Sequence, residues 1–258
     1  PAYAAARGGD GGDGDGDGGD SGDGASPFAH FRDFGAALIM PGFVDTHNHG
    51  PQFENSGIGT DLHLLQWLEK YTFPTEAKFA DSEYAASAYR RAVLRSLRNG
   101  TTTCCYFATI HLAATKVMAR VVAALGQRAF IGKVCMDQHS PAYYVEESAA
   151  ASVRDARAFV AYCREELRDP RVKPIITPRF VPSCSAELLT ALGELAKEED
   201  VAITSHISET TDEIALVQQQ HPHAATYAAV YATHALLTAR TVMAHGVHLT
   251  DDECGMWS

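Results

Sequence analysis

The sequence predicts an α/β protein whose parallel strands close into a (β/α)8 barrel, and three observations carry that reading. Short β-branched or apolar runs alternate with longer helical stretches, at roughly 30 to 45 residues per unit. No GxGxxG or GxxxxGK[ST] follows the first run, so the phosphate-cradling turn of a doubly wound sheet has no support. Polar residues gather instead at the C-terminal ends of several runs, where a barrel collects active groups from many strands.

Strands are expected at residues 38–47, 101–107, 128–135, 172–180, 201–206 and 241–245. Between them the helices have recognisable ends. Asp61 caps one that carries Leu62, Leu65 and Leu68 and stops before Pro74, because the residue preceding a proline resists the α region. Asp81 caps a second that runs to Asn99-Gly100, a left-handed stop, and residues 112–125 form a third ended by Gly126 in the same manner. Ser148 opens a long helix to about Arg168, closed by Pro170; Ser185 opens another to about Glu199. Two more are expected at 209–219 and 227–237, and Thr250-Asp251-Asp252-Glu253 is a capping box announcing a further one. This amounts to about six of the eight βα units of a full barrel.

Residues 1–24 contain six aspartates, ten glycines and one arginine, a net −5 out of the chain's −11. A Gly/Asp repeat maximises backbone entropy and buries almost nothing, so a disordered tail is expected over 1–24 and the barrel domain over 25–258. The tail reads as a passive leader or non-native extension, or as a solvating arm for a partner. The whole chain, 258 residues with 46% hydrophobic and 21% charged, has the balance of a globular protein. No apolar run approaches the roughly 18 residues of a spanning helix, so no membrane partner is expected. No basic start precedes an apolar block, so no secretory signal is read. Six cysteines without a CxxC pair point to reduced thiols and a cytoplasmic setting. With 21 basic against 32 acidic residues and no Lys/Arg stripe, a nucleic-acid polymer is excluded as partner, whereas a small uncharged substrate is not.

The chemistry starts at His47-Asn48-His49. Residues two apart on a strand share a face, so both imidazoles can address one point. Paired histidines are often incidental, but here the apolar flank Pro41-Gly42-Phe43-Val44-Asp45-Thr46 delivers them at a strand end. His206 and His245 end two further strands. Four imidazoles at one barrel mouth make a borderline-soft divalent site, zinc first and Fe2+ second; the alternative is that His206 and His245 are buried and hydrogen-bonded. His30, His63, His111, His139, His221, His223, His234 and His248 fall in loops or on helices and are read as solvent-facing. Glu209, three residues past His206, is placed to move protons, and equally fits a helix start favoured by the dipole. Arg179-Phe180 pairs a forked donor with an aromatic face, the combination that grips a guanine O6/N7 edge and stacks its ring, or else forms a structural ion pair with a carboxylate.

The opening run 41–49 resembles the signature of the metal-dependent amidohydrolase superfamily. The runs 64–74, 99–103, 106–111, 126–130, 132–137, 177–180, 205–209 and 242–246 resemble, more closely, its guanine deaminase family, and the likeness covers about residues 41–252. It implies a (β/α)8 amidohydrolase barrel and zinc, one ion per subunit, held by His47, His49, His206 and His245. It implies that His49, Gln52, Arg179, Phe180 and His206 contact the base and that Glu209 is the proton shuttle, although small residues usually precede the glutamine. Water activated at zinc would add to C2 of guanine, Glu209 would protonate the ring nitrogen, and ammonia would leave to give xanthine. A cytoplasmic homodimer is implied as well. The family has two further strands after His245, the last ending in a metal-binding aspartate, and a flanking β-sandwich; neither is legible here. The chain is therefore expected to be an incomplete barrel and inactive alone. The alternatives are a non-catalytic fragment that keeps partial metal or partner binding, and a related amidohydrolase acting on another nitrogen heterocycle. A second zinc-deaminase architecture is excluded, because its HxE and PCxxC motifs do not occur.

Overall fold

The computed structural model describes residues 34–256. The tail expected over 1–24, its boundary at residue 25, and His30 lie outside the described residues. The chain divides into two units at Met40 and Pro41. In the first, Ala37 N–H closes a turn on Phe34 O at 3.2 Å, and Leu38, Ile39 and Met40 are exposed.

The second unit is built on parallel strands: β1 (Phe43–His49), β2 (Thr101–Phe107), β3 (Arg128–Gly132), β4 (Val134–Cys135), β5 (Val172–Pro178), β6 (Ala202–Ile207) and β7 (Thr241–His245). Their spatial order is β1-β2-β3-β5-β6-β7, with β4 pairing β5. β3 and β4 are one strand interrupted near Lys133. Its pairing lapses after Ile131↔Pro174 and resumes at Val134↔Thr177, because Pro174 brings no N–H to the ladder. The described residues thus supply six successive parallel strands of the kind that build a (β/α)8 barrel. Among them no ladder joins β1 to β7.

The expected strands at 101–107 and 241–245 coincide with β2 and β7. The first differs. Its ladder starts at Phe43, whose N–H donates to Gly100 O at 2.9 Å, since Pro41 has no N–H to pair; it then runs past residue 47 to His49↔Phe107. The run expected to 180 stops pairing at Pro178.

The helices cover the outer face of the sheet. Asp61 is not a cap. The first helix starts after His63 as α1 (Leu64–Trp67), widens into a π turn (Leu68–Thr72) and continues as α2 (Phe73–Ala77) straight through Pro74. Pro74 sits in the first turn of α2, where the preceding π turn has already changed the hydrogen-bonding step, so its missing N–H costs little. α3 (Ser82–Arg98) is capped by Asp81, whose Oδ1 accepts from Glu83 N–H at 2.8 Å. α4 (Leu112–Leu125) stops at Gly126, φ +79°, and α3 before Gly100, φ +91°, both backbone states that a Cβ disfavours. α5 (Ala149–Ala161) opens on Ser148 and runs as a π turn to Leu167; α6 (Ala186–Glu198) opens on Ser185. α7 (Thr211–Gln220) begins two residues later than expected, because Thr210 and Glu213 form its capping box and leave Glu209 ahead of the cap. α8 (Tyr227–Thr233) ends early, with Ala235 at φ +55°, and α9 (Asp251–Gly255) carries the Thr250/Glu253 box.

Apolar faces of these helices lock onto the strands. Tyr89 and Val93 of α3 and Met118 and Val122 of α4 pack with Cys104, Tyr106 and Ile131. Leu188, Leu189 and Leu192 of α6 pack with Ile176 and Ile203. A third cluster, Leu68, Phe73, Phe107, Tyr144 and Phe180, sits where the π turn and α2 close over the strand ends. That third cluster positions the site.

Candidate active site

β1 delivers its two histidines through a bulge. Between Asp45↔Cys104 and Asn48↔Tyr106 it spends one residue more than β2. Asp45 holds the bulge, accepting from His47 N–H at 3.1 Å and from Asn48 Nδ2 at 2.9 Å. The rings of His47 and His49 then lie edge to face, with centroids 4.9 Å apart. Phe107, fully buried at the end of β2, forms the floor beneath the imidazoles of His47, His49 and His206, at 4.9, 4.7 and 4.7 Å.

His206, at the end of β6, donates from Nδ1 to Arg179 O at 2.6 Å, which leaves its Nε2 as the unprotonated, accepting nitrogen. That Nε2 lies 2.8 Å from Nε2 of His49, although the two residues are 157 positions apart in sequence. His245, at the end of β7, stacks on His206 at 5.3 Å and is held at φ +69°, an uncommon state for a non-glycine residue. The donor atoms of His47, His206 and His245 lie within 4.8 Å of one another. Three of the four histidines expected to meet thus group their donor atoms, and His49 stands beside them, its Nε2 in hydrogen-bond contact with His206.

Burial lowers the basicity of all four. His47 falls to about 4, with the neighbouring His245 adding to the effect and Asp45 opposing it. His49 and His206 fall well below the ordinary imidazole value, through burial first and the adjacent imidazoles second; His245 falls through burial. Neutral imidazoles are the ligand-competent form. The linkage has a definite sign. Unfolded histidines take up protons below about pH 6.5 while the folded ones resist, so stability is complete above that pH and drains away as pH falls toward 4. Melts of the metal-free chain from pH 7 to 4 should fall over that window; a flat profile would contradict the buried placement.

Glu209 lies above the cluster, its Oε2 3.4 Å from His245 Nε2. Its backbone N–H donates to Glu213 Oε2 at 2.8 Å, so the α7 capping box also holds the residue before it. Burial raises the Glu209 carboxyl, with Arg179 opposing. A cavity of about 250 Å³ is lined by every residue proposed from sequence, His47, His49, Gln52, Arg179, Phe180, His206, Glu209 and His245, together with Leu64, Trp67 and Leu68. A wider, more open groove of about 740 Å³ runs along β1 and shares part of this lining. The smaller cavity is where these polar groups converge.

Arg179 is buried and forms the structural ion pair that had been one of its two readings. Nη1 and Nη2 donate to Glu76 Oε2 and Oε1 at 2.6 and 3.2 Å, and the guanidinium lies 5.0 Å from the Phe73 ring centre. Sequence reasoning missed Glu76. A signal existed: Glu76 falls three residues after Phe73 and three before Phe79, both buried, and a carboxylate on an apolar helix face calls for a partner. The trailing histidines also need correction. His111 is half-buried against Tyr144, with an inaccessible Nε2, and His221 and His234 are half-buried rather than solvent-facing, because their loops fold back on the helices.

The chain matches the Amidohydrolase family over residues 38–256. It is 52% identical over 221 residues to the guanine deaminase of Dictyostelium discoideum, covering 86% of this chain and 49% of that protein. To the guanine deaminase of Mus musculus it is 47% identical over 221 residues, covering 86% and 48%. A crystal structure of guanine deaminase from C. acetobutylicum with bound guanine in the active site superposes with a TM-score of 0.81 at 40% identity, over 84% of this chain and 51% of that one. The chain therefore spans about half the length of the relatives it matches. Since the family match takes in every described strand and all four strand-end histidines, the chain belongs to the amidohydrolase family.

Proposed function

We propose that the protein hydrolyses guanine to xanthine and ammonia at a single divalent metal, zinc in preference to iron. The observation that carries this reading is the grouping of the His47, His206 and His245 donor atoms within 4.8 Å of one another, beside His49, on the cavity that Gln52, Arg179, Phe180 and Glu209 also line. The donor set suits zinc. The imidazoles are kept neutral, His206 has its other nitrogen committed to a carbonyl, and His47 Nδ1 is buried without a hydrogen bond in the described structure. His47, His49, His206 and His245 would hold the ion. When bound, the metal lowers the pKa of water toward about 7 and so supplies a nucleophile near neutrality.

The chain's own residues do the rest. Arg179 offers its remaining N–H groups to acceptors on the base, and Phe180 offers its ring as a stacking face. Glu209, with its carboxyl raised by burial, takes a proton from water and gives it to the ring nitrogen as the hydroxyl adds at C2; the hydroxyl proton then passes to the amino group, so that ammonia departs and the C2 carbonyl forms. A cavity of about 250 Å³ sits below the roughly 300–1,000 Å³ of drug-sized pockets, which favours a bare base over a nucleotide. Burial of the Arg179 charge against Glu76 likewise favours a neutral ligand.

The sequence leads to the expectation that this chain alone is inactive; supplying guanine and zinc to the purified chain tests it, and release of xanthine and ammonia in equal amounts would overturn that expectation and support hydrolysis at this site. Zinc binding with no ammonia release would favour the second reading, a chain that binds metal and base without useful turnover. One observation favours that reading: β1 and β7 share no ladder among the described residues, so His47 and His245 are each held by one neighbouring strand. Elemental analysis tests the metal site separately. His206→Ala removes a strand-end ligand and should take zinc from about one per chain to a small fraction of that; unchanged stoichiometry would refute the assignment. The family resemblance also carries the expectations of a cytoplasmic setting, which six free cysteines support, and of a homodimer, which light scattering would check. No helix among the described residues is long and apolar enough to cross a membrane.

A further inference from the structure

Glu76 is fully buried, and its carboxylate is the point where the donors of three side chains meet. Arg179 engages both oxygens, at 2.6 and 3.2 Å. The Tyr144 hydroxyl donates to Oε2 at 2.7 Å, and Gln52 Nε2 donates to Oε1 at 3.0 Å. Arg179 and Gln52 both line the small cavity; Glu76 does not.

Two consequences follow from the chemistry of a carboxylate, which accepts hydrogen bonds and cannot donate them. The Gln52 amide must turn its NH2 toward Glu76, so its carbonyl Oε1 is the atom left for the cavity, and the amide cannot flip without losing that bond. The guanidinium of Arg179 is fixed in its plane by a bidentate grip, with Phe73 beneath it, so its remaining N–H groups keep one direction. One buried anion therefore decides that the cavity presents a fixed acceptor from Gln52 and a fixed forked donor from Arg179.

We propose that Glu76 is a positioning residue that sets base specificity: by holding Gln52 and Arg179 together, it makes the cavity accept a 6-oxopurine and refuse a 6-aminopurine. A 6-oxopurine offers acceptors at O6 and N7 to the guanidinium and donors on its N1 side to the Gln52 carbonyl. A 6-aminopurine sets an amino donor where O6 would lie, facing donors it cannot pair with, and its N1 has no proton to give. Unpaired polar groups in a buried site are the strongest source of discrimination between analogues of one shape. This inference rests on the reading of the cavity as a purine site.

The test is a ratio of affinities, which needs binding but no turnover. Guanine and adenine are titrated separately into the zinc-loaded 258-residue chain, with quenching of Trp67, which lines the cavity, as readout. The unsubstituted chain should prefer guanine. Glu76→Gln keeps the size but can donate, freeing the Gln52 amide to flip; it should lower the guanine-to-adenine ratio about ten- to a hundredfold. Glu76→Asp keeps the charge that Arg179 needs for folding while drawing the oxygens back from Gln52, and should lower the ratio in the same direction. Thermal melts accompany each titration. Equal losses for both bases, or an unchanged ratio in a folded Glu76→Asp chain, would overturn the proposal, since a residue that only supports the fold would not change selectivity. Failure of Glu76→Asp to fold would also overturn it, by making Glu76 a folding residue. If the unsubstituted chain shows no preference, the purine reading itself falls and takes this inference with it.

Discussion

Arg179→Ala is expected to cost about 3–5 kcal/mol of folding stability, the usual penalty for removing one partner of a buried ion pair. The guanidinium and the Glu76 carboxylate are almost wholly out of water, at 3% and 0% side-chain exposure. Truncating Arg179 leaves the carboxylate with only Tyr144 and Gln52 as donors, short of the cation that offsets its desolvation. If Arg179 also contacts the base, its loss weakens purine binding by about 1–3 kcal/mol as well. The structure adds the larger stability effect. Denaturant titration of the two chains measures it. A loss under about 1 kcal/mol, the scale of an exposed pair, would show that the pair is not buried as described. The double variant Arg179→Met with Glu76→Leu should recover most of the loss, because replacing both members of a buried pair by apolar groups is often close to neutral.

In a completed enzyme carrying this site, Glu209→Gln should leave zinc content unchanged and lower guanine turnover by roughly 10²–10⁴, the usual contribution of a positioned proton-transfer group. The amide keeps the shape of the carboxylate and its place above His245, but it cannot take a proton from water and return it to the ring. Desolvation raises the Glu209 carboxyl toward neutrality, which makes transfer in both directions less costly. The distinguishing measurement is the pair of readouts. Reduced turnover with intact zinc assigns a proton-transfer role; reduced zinc would make Glu209 a metal ligand or a support for His245. Turnover equal to that of the unsubstituted chain would remove it from the reaction.

Much of the barrel was legible in advance because its signals are local. Asp81, Ser148 and Ser185 cap their helices as expected, and Gly100 and Gly126 mark stops through φ values that a single residue sets for itself. The strand-end positions of His47, His49, His206 and His245 could be read because period-2 patterning and strand length are properties of a few consecutive residues. Two of the local readings that failed share one physical reason. Pro74 was expected to end a helix, yet a π turn ahead of it absorbed the missing donor. The strand at 38–47 slid toward His49, because a ladder begins where a neighbour can pair rather than where the apolar run begins. In both, the surroundings supplied an alternative that a window of a few residues does not contain.

What required the folded chain was pairing across long separations. The partner of Arg179 is 103 positions earlier, on a short helix whose position depends on how Leu68, Phe73 and Phe180 pack over the strand ends. His206 could be read as a strand-end imidazole, but its tautomer depends on the Arg179 carbonyl, which the fold brings to 2.6 Å. Local propensity and capping are set by backbone sterics and nearest-neighbour hydrogen bonds. The direction of the Gln52 amide, the grip on Arg179 and the neutrality of the imidazoles come from burial and from groups distant in sequence, so they exist only once the barrel has assembled.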